Sequence, residues 1–310
     1  MNHHSLISRD IEVDVLCVGH ASYDLVFSVC QHPNEDEKIF ADGFIGCGGG
    51  PAANAAVTVS RLGFRSAFAG YLGRDLYGEK HLNELIADRV NAELVVRGDY
   101  PTPISTILVK PDGKRTLINF KGKTIPLCSD SIDFSPVKSK VILFDGHEPY
   151  VSSALLEDAR RKKIPTVLDA GSLHEGTSLL MKQVDYLVCS EKFSKQIAKD
   201  EKSCLGTLAE FSPCVVITLG ERGLIWRKGV ESGFLPAFPV VSIDSTGAGD
   251  AFHGAFAAAI SKGMEWQEVL RYSSAAGAIC CMKTGARPGI PFREQHNALY
   301  NNSKLNNLSI

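Results

Sequence analysis

Ile-Asp-Ser-Thr-Gly-Ala-Gly-Asp-Ala-Phe, residues 243–252, joins a run typical of a β-strand, residues 238–243, to a helical pattern. Two glycines at the junction let several backbone amides converge on one point without obstruction by side chains. The first turn of the helix adds a partial positive charge there. The junction therefore predicts an anion-binding site at the start of a helix.

Asp250 places a carboxylate in the first turn of that predicted helix. An acid at this position also stabilises a helix start without doing any chemistry. Beside an anion site, however, the carboxylate can accept a hydroxyl proton while the amides stabilise charge on a transferring phosphoryl group. The combination predicts Asp250 as a general base, and a helix-start acid is the alternative.

A second glycine-rich stretch, Gly-Cys-Gly-Gly-Gly-Pro-Ala-Ala-Asn at residues 46–54, opens another predicted helix. It is neither a Walker A loop nor a dinucleotide fingerprint. Its small residues let a ligand approach the backbone, and Asn54 can donate and accept hydrogen bonds, as polyol recognition requires. Asp24 follows the first predicted strand, where open α/β sheets bind ligands. A simple turn and a capping aspartate are the structural alternatives.

Short β-rich runs alternate with helical stretches along most of the chain. This alternation predicts an α/β fold in which helices cover both faces of a mostly parallel sheet. The predicted strands are residues 13–19, 66–70, 141–144, 166–169, 186–189 and 215–219, and the predicted helices are 51–62, 78–89, 151–162 and 249–282, the last with a break near Gly263.

Two segments depart from this alternation. Residues 25–45 contain strand-like pieces around a charged loop, and residues 104–120 form a hairpin around a Pro-Asp-Gly turn. We expect one domain over residues 1–310, with insertions at about 25–46 and 100–123 that form a small β-sheet lid. A lid excludes water from transfer chemistry. An edge hairpin of the main sheet is the alternative.

The composition excludes several classes of protein. The 310 residues include 33 basic and 35 acidic side chains, so no excess positive charge favours nucleic-acid or anionic-membrane binding. No apolar run approaches the ~20 residues of a membrane span. Nine cysteines without a CxxC pair are typical of reduced, mostly buried thiols. With the polar start, residues 1–12, these features predict a soluble cytoplasmic protein.

The two glycine-rich motifs resemble the signatures of the ribokinase-like (PfkB-type) carbohydrate kinases. The motifs are GGGPAANAAVTVSRLG at residues 48–63 and DSTGAGDAFHGAF at residues 244–256, and their order and spacing match over essentially the whole chain. Residues 218–223, TLGERG, resemble the nucleotide loop of the family, and residues 285–291, GARPGIP, its closing segment.

The resemblance implies transfer of the γ-phosphate of ATP to a primary hydroxyl of a sugar, by an α/β domain with a small β lid. It implies that Asp250 is the base and that the amides of Gly247, Ala248 and Gly249 form the anion hole. The implied ligand contacts are Asp24, Gly49, Gly50 and Asn54 for the sugar; Thr218, Gly220, Gly223 and Ser274 for ATP; and Asp244, Thr246, Gly285 and Gly289 for a monovalent cation, usually potassium. Mg²⁺ would enter with the nucleotide.

The sequence departs from the family pattern on the magnesium side. Where the family usually carries Asn-x-x-Glu, this chain has Ser-Glu-Lys-Phe at residues 190–193. Ser190 takes the place of the Asn beside the nucleotide, and Glu191 is the candidate magnesium ligand, two residues earlier than the usual Glu. This departure and the segments 145–147 and 169–172 resemble the ketohexokinase and sulfofructose-kinase side of the family more than ribokinase itself.

Lys38, Asn119 and His147 are the candidate specificity residues. Lys38 and Asn119 lie in the expected lid, where Lys38 can meet an anionic substituent or be a solvated loop charge. His147 follows a predicted strand, as a ligand contact or as a capping or core histidine. Arg287 can approach either ligand or be structural.

Two alternatives stay open beside a ketose-type sugar kinase, and a third is set aside. A nucleoside kinase of the same fold needs a platform for the base, which Phe40, Phe44 and Phe120 offer. A sugar-binding regulatory protein has no need of both an anion hole and a base. A nicotinamide dehydrogenase lacks its fingerprint at residues 19–22. An open lid edge also makes a homodimer through the lid an expectation.

Overall fold

A computed structural model describes residues 10–306, with side chains through residue 301. The strands are β1 (Ile11–Val18), β2 (Ser22–Ser28), β3 (Gly43–Gly49), β4 (Ser66–Gly73), β5 (Val95–Gly98), β6 (Ile104–Val109), β7 (Arg115–Phe120), β8 (Val137–Phe144), β9 (Thr166–Ala170), β10 (Tyr186–Ser190), β11 (Cys214–Thr218), β12 (Leu224–Lys228) and β13 (Glu231–Leu235). The helices are α1 (Pro51–Arg61), α2 (Leu76–Ala87), α3 (Pro149–Lys162), α4 (Glu175–Leu180), α5 (Glu191–Ile197), α6 (Glu201–Leu208), α7 (Ala248–Ser261), α8 (Trp266–Cys280), α9 (Ala286–Gly289) and α10 (Arg293–Asn306).

The main sheet has nine strands in the order β13-β12-β11-β10-β9-β8-β1-β4-β5. All neighbours from β11 through β5 are parallel, and β12 and β13 are antiparallel additions at one edge. Strand β1 is buried on both faces, as its nearly continuous apolar sequence predicts. The predicted α/β architecture is confirmed.

Alternate residues of β1 pack into two separate apolar layers. Val15 and Cys17 contact the layer that contains α1, α7 and α8, and Leu16 and Val18 contact the layer that contains α3 and α6. This alternation follows from the period of two along a strand. Burial of both faces fixes the register of the sheet, because a slip by one residue would exchange the two layers.

A separate four-stranded sheet has the order β3-β2-β6-β7. Strands β6 and β7 pair antiparallel from Ile104 with Phe120 to Val109 with Arg115, around the Pro-Asp-Gly turn. The edge-hairpin alternative is therefore wrong. The small sheet extends beyond the expected insertions at one point, since β2 begins at Ser22 and β3 runs to Gly49.

The strand predicted for residues 238–243 is absent. Pro239 interrupts this segment and Pro236 precedes it, and a proline cannot donate to a strand ladder. The N–H of Ile243 donates instead to the carbonyl oxygen of Cys281, 2.7 Å away, so the segment before α7 is anchored to the end of α8.

All nine cysteines are free thiols, and six of them are buried. Most of the polar start, residues 1–9, lies outside the described residues. Among residues 10–306, no helix is both long enough and apolar enough to span a bilayer.

Candidate active site

The parallel strands bring their carboxyl ends to one edge of the main sheet, and the order of the strands reverses between β1 and β8. Asp145, directly after β8, is buried and accepts three backbone N–H groups at this point. The donors are His20 at 2.7 Å, His147 at 2.9 Å and Ala52 at 3.1 Å. Asp145 therefore ties the ends of β1 and β8 to the start of α1.

The first turn of α7 forms the predicted anion site. Gly247 caps the helix with a φ of 78°, and a Cβ at this residue would lie 2.5 Å from the Cβ of Ala286. A Cβ on Gly249, in contrast, would meet no heavy atom within 4 Å. The first amides of a helix have no partner within the helix. The N–H of Ala248 makes a long hydrogen bond of 3.3 Å to Ser245 O, and the amide of Gly249 stands at an open position where an anion can approach it.

Asp250 lies at the side of this opening and is held by Asn54. The Nδ2 of Asn54 donates to Asp250 Oδ2 at 2.8 Å, and Nε of buried Arg287 donates to Asn54 Oδ1 at 3.3 Å. The second contact fixes which end of the amide faces Asp250. Burial raises the pKa of Asp250, and the Asn54 hydrogen bond opposes that rise. Arg287 thus orients the side chain of Asn54. This contact corresponds to the structural alternative of the two considered for Arg287.

A buried pair supports α7 from below. Nδ1 of His253 lies 2.6 Å from Gly249 O and 3.2 Å from Asp169 Oδ2, and Nε2 lies 3.2 Å from Val188 O. All three neighbours can accept a hydrogen bond, so both ring nitrogens of His253 face oxygen acceptors. Burial raises the pKa of Asp169. The pair fixes the first turn of α7 to the end of β10.

Asp24 is a further buried carboxylate of the site. Its Oδ1 accepts from Ser22 Oγ at 3.0 Å, and burial raises its pKa to about 6. A Cβ on Gly49 would lie 2.3 Å from the carboxyl group of Asp24, so only glycine permits this approach of β3 to β2. Gly49 acts by making room for Asp24.

A cavity of about 270 Å³ lies between the two sheets, close to the lower end of the range for small-molecule sites. It brings together most of the predicted substrate contacts with the anion site: Asp24, Gly50, Asn54, Asn119, His147, Thr246, Gly247 and Asp250. Lys38 is not among the lining residues. It lies in the exposed loop between β2 and β3, with its Nζ 5.6 Å from the ring centroid of Phe40.

Several lining residues were missed by the sequence analysis. Arg115, Leu117 and Lys121 line the cavity beside Asn119, because every second residue of β7 and its extension points inward. This alternation is visible in the sequence once the hairpin is assigned, so it is the signal that could have identified them. His20, after β1, is a further addition.

The cavity continues into a small recess of about 50 Å³ at the end remote from α7. His20, Lys121, His147 and Glu148 line it. The His147 ring stacks on His174, with 4.6 Å between the ring centroids. Burial raises the pKa of Glu148 to about 7 and lowers that of His20 well below its ordinary value. The recess therefore offers several hydrogen-bonding side chains and one lysine.

Asp244, before α7, organises the segment predicted to hold a monovalent cation. It is fully buried and accepts from Thr246 N at 2.9 Å, Thr246 Oγ1 at 2.6 Å and Gly285 N at 2.8 Å. A Cβ on Gly289 would lie 2.4 Å from Cys280 O. The four predicted residues thus belong to one close-packed region around the ends of α7, α8 and α9.

The residues predicted for the nucleotide lie at the ends of β10 and β11 and on α8. Ser190 caps α5, and Thr218 ends β11. A Cβ on Gly220 would meet no heavy atom within 4 Å, whereas Gly223 packs against Leu235. Gly220 therefore leaves space beside the loop, and Gly223 shapes it. Ser274 is half-buried on α8.

Glu191, the predicted magnesium ligand, forms two ion pairs. Lys195 Nζ and Arg222 Nη2 both contact its Oε1, the latter at 3.2 Å. The Lys195 hydrogen bond lowers the pKa of Glu191. Over the described residues, no group of three His, Cys, Asp or Glu side chains is placed to hold a metal ion.

Residues 13–293 match the sequence profile described as pfkB family carbohydrate kinase. The chain belongs to the PfkB family. It is therefore an enzyme that phosphorylates sugars, and ATP use follows from the family. The predicted family and enzyme class are confirmed.

The relatives of this PfkB chain carry two activities in their names. A ribokinase of Bacillus subtilis is 26% identical over 91% of this chain and 97% of its own length. Fructokinase-2 of Zea mays is 28% identical over 80% of this chain and 84% of its own. Among solved structures, a ribokinase of Thermotoga maritima is 27% identical, with a TM-score of 0.82 over 93% of this chain and 99% of that one.

A ribokinase of Arabidopsis thaliana, complexed with ribose and ATP, has a TM-score of 0.80 over 94% of this chain and 99% of that one. At 23% identity this likeness concerns the fold alone. The resemblance to the ketohexokinase and sulfofructose-kinase side stays a prediction.

Proposed function

We propose that this enzyme transfers the γ-phosphate of ATP to a primary hydroxyl of a sugar, with a ketose or a sugar derivative as the favoured acceptor. The observation that carries the proposal is the position of Asp250. Its carboxylate stands in the first turn of α7, beside open helix amides, and lines the same cavity as Asp24 and Asn54. A base, an anion site and a polyol-binding surface therefore meet at one place.

In the proposed reaction, Asp250 accepts the proton of the acceptor hydroxyl. Phosphoryl transfer passes through a loose transition state, so the proton leaves late and positioning provides most of the rate. The amides of Gly247, Ala248 and Gly249 donate to the oxygens on which charge develops. The lid sheet excludes water from the cavity.

Asp24, Gly50 and Asn54 would bind sugar hydroxyls next to the base, with Gly49 holding Asp24 in place. Asn119 and His147 would contact the sugar farther from α7. Lys121, His20 and the recess would receive the end of the sugar away from the acceptor hydroxyl. This arrangement fits an acceptor sugar that extends from the reacting hydroxyl beside α7 to the recess at the other end of the cavity.

ATP would lie beside Thr218, Gly220, Gly223 and Ser274, with Ser190 at the end of β10. The open position at Gly220 fits a ligand there. Mg²⁺ binds through phosphates and a small number of carboxylates, and it neutralises phosphate charge in such reactions. Because Glu191 is engaged in ion pairs, the phosphates of ATP would be the main ligands of the magnesium ion. A potassium ion would lie near Asp244, Thr246, Gly285 and Gly289.

A nucleoside kinase is the second candidate, because one of the three aromatic residues predicted as a platform for a base, Phe120, lines the cavity. Phe40 and Phe44 do not line it. The intact anion site and base argue against a regulatory sugar-binding protein.

The test is release of ADP in the presence of Mg²⁺ and K⁺, across a panel of ketoses, aldoses, phosphosugars, sulfosugars and nucleosides. Asp250→Asn is the matched variant, since it preserves shape and removes the base. We expect turnover of at least one sugar and a loss of roughly 1,000-fold or more in kcat for the variant, with ATP binding retained.

Near-normal turnover in Asp250→Asn would refute the assignment of the base. Turnover of nucleosides alone would favour the second candidate. If the protein binds ATP but phosphorylates no compound of the panel, the result would favour a sugar-binding regulatory protein.

A further inference from the structure

Arg115 connects the lid to the anion site. It is the first residue of β7, and its Nη1 donates to the Oγ of Ser245 in the loop before α7. Its side chain lines the cavity together with Thr246, Gly247 and Asp250. A guanidinium group from the small sheet therefore reaches the position at which the large sheet presents its helix amides.

The charge of Arg115 has no carboxylate partner within ion-pair distance over the described residues. Its neighbour Lys114 is different, because Lys114 and Lys110 both contact Asp112. Arg115 donates to the neutral hydroxyl of Ser245, beside the positive end of α7, and its charge also opposes the rise that burial causes in the pKa of Asp250. The guanidinium and the positive end of α7 converge on an opening in which Asp250 is the nearby carboxylate, and a phosphoryl group would add negative charge that both positive groups attract.

A second contact holds the hairpin in this place. A Cβ on Gly113, at the hairpin turn, would lie 3.2 Å from the carbonyl oxygen of Ile243. The lid hairpin thus rests on the loop before α7 at two points, Gly113 and Arg115. Since the guanidinium is carried by the lid, seating of the lid is what brings it to the anion site.

We propose that Arg115 is a catalytic residue that donates N–H groups to the phosphoryl group during transfer. The inference rests on the proposed function. The acceptor oxygen forms a bond to the γ-phosphorus, the bond from that phosphorus to the bridging oxygen breaks, and ADP leaves with the electron pair. The hydroxyl proton moves to Asp250. Arg115 and the α7 amides face the equatorial oxygens, where the negative charge lies.

The first experiment compares kcat and KM of Arg115→Gln, Arg115→Lys and Lys114→Gln with the unaltered enzyme. Arg115→Gln removes one such donor and is expected to lower kcat by about 100- to 1,000-fold. The KM for ATP and the KM for the sugar should each change less than about threefold. Arg115→Lys should recover only part of the lost kcat, because an ammonium group lacks the planar set of N–H donors of a guanidinium group. Lys114→Gln, on the same hairpin, should leave kcat unchanged. Added methylguanidine should raise the rate of Arg115→Ala but not that of Asp250→Asn.

Ser245→Ala separates catalysis from lid docking, since it removes the contact and keeps the guanidinium. We expect less than a tenfold loss of kcat. A loss as large as that of Arg115→Gln, or an effect of Arg115→Gln confined to KM, would overturn the proposal, because either result describes docking or ground-state binding.

A binding experiment gives an answer even if no acceptor sugar is found. ADP with fluoroaluminate mimics the phosphoryl group in transfer, and its binding is measured by the thermal shift it adds to that of ADP alone. We expect Arg115→Gln to lose this additional shift and to bind ADP normally. An undiminished additional shift would overturn the role of Arg115. If no sugar in the panel is phosphorylated but Arg115→Gln loses the additional shift, the result would count only against the assignment of the acceptor.

Discussion

Asp24 shows at the residue scale how a binding group can cost stability. Its carboxylate is buried, its hydrogen-bond partners are the hydroxyls of Ser22 and Ser105, and burial raises its pKa to about 6. Sugar hydroxyls would supply the missing donors. The buried carboxylate is therefore stabilised either by a ligand that donates hydrogen bonds or by a proton.

Asp24→Asn is expected to raise the KM for the sugar by roughly 100-fold and to raise Tm by a few degrees at pH 7.5. The folded state has the higher pKa, so it binds the proton more tightly, and stability falls as pH rises from about 4 to about 6. The gain in Tm should therefore vanish near pH 4. Thermal unfolding at both pH values is the measurement, and an equal gain at both would contradict the buried charge.

At the element scale, the approach of β3 to β2 depends on Gly49. A Cβ there would overlap the carboxyl group of Asp24. Gly49→Ala is expected to displace Asp24 and to raise the KM for the sugar at least tenfold, with the KM for ATP unchanged.

Gly206→Ala is the matched control for this substitution. Gly206 lies within α6, where a Cβ meets no heavy atom within 4 Å. The control should stabilise the fold by about 0.5–1 kcal/mol with normal kinetics. Equal kinetics in the two variants would show that β3 does not position Asp24.

The helices and parallel strands with strong periodicity were predicted from the sequence within a few residues. The hairpin of β6 and β7 was predicted with the correct ends, because its Pro-Asp-Gly turn is a local signal. Residues 238–243 were predicted wrongly, since their β-rich composition outweighed Pro239. The pair β12 and β13 was not assigned, although Gly229 marks its turn.

The candidate site divides in the same way. Asp24, Asn54 and Asp250 follow from local motifs, and the structure places all three around one cavity. Arg115, Lys121 and His20 come together only when the lid folds over the main sheet. No local pattern encodes that distance, so the sequence predicts the residues of the reaction better than those that surround the acceptor.

At the scale of the whole molecule, the lid leaves β7 as an open edge. All of its residues are exposed, and Ile118 and Phe120 remain 63% and 58% exposed. Phe44, on the opposite edge strand β3, is 60% exposed. An open edge with apolar side chains favours pairing with another strand, and we propose that a second copy of this chain covers it.

Sedimentation of the purified protein should then show a homodimer. Ile118→Lys, which adds a charge to the edge strand, should shift it to a monomer, whereas Val230→Lys, on the exposed turn after β12, should not. A monomeric unaltered protein at micromolar concentration would contradict a dimer through the lid.

The position of β1 has a consequence for synthesis on the ribosome. This strand is made first, yet its neighbour β8 pairs Ile11 with Val137, 126 residues later. At roughly 5–20 residues per second, the second neighbour appears about 6–25 s after the first strand. During that interval one edge of β1 has no partner for its backbone hydrogen-bonding groups, and the apolar side chains of the strand are only partly covered. The nascent chain is therefore expected to depend on chaperones that shield this strand.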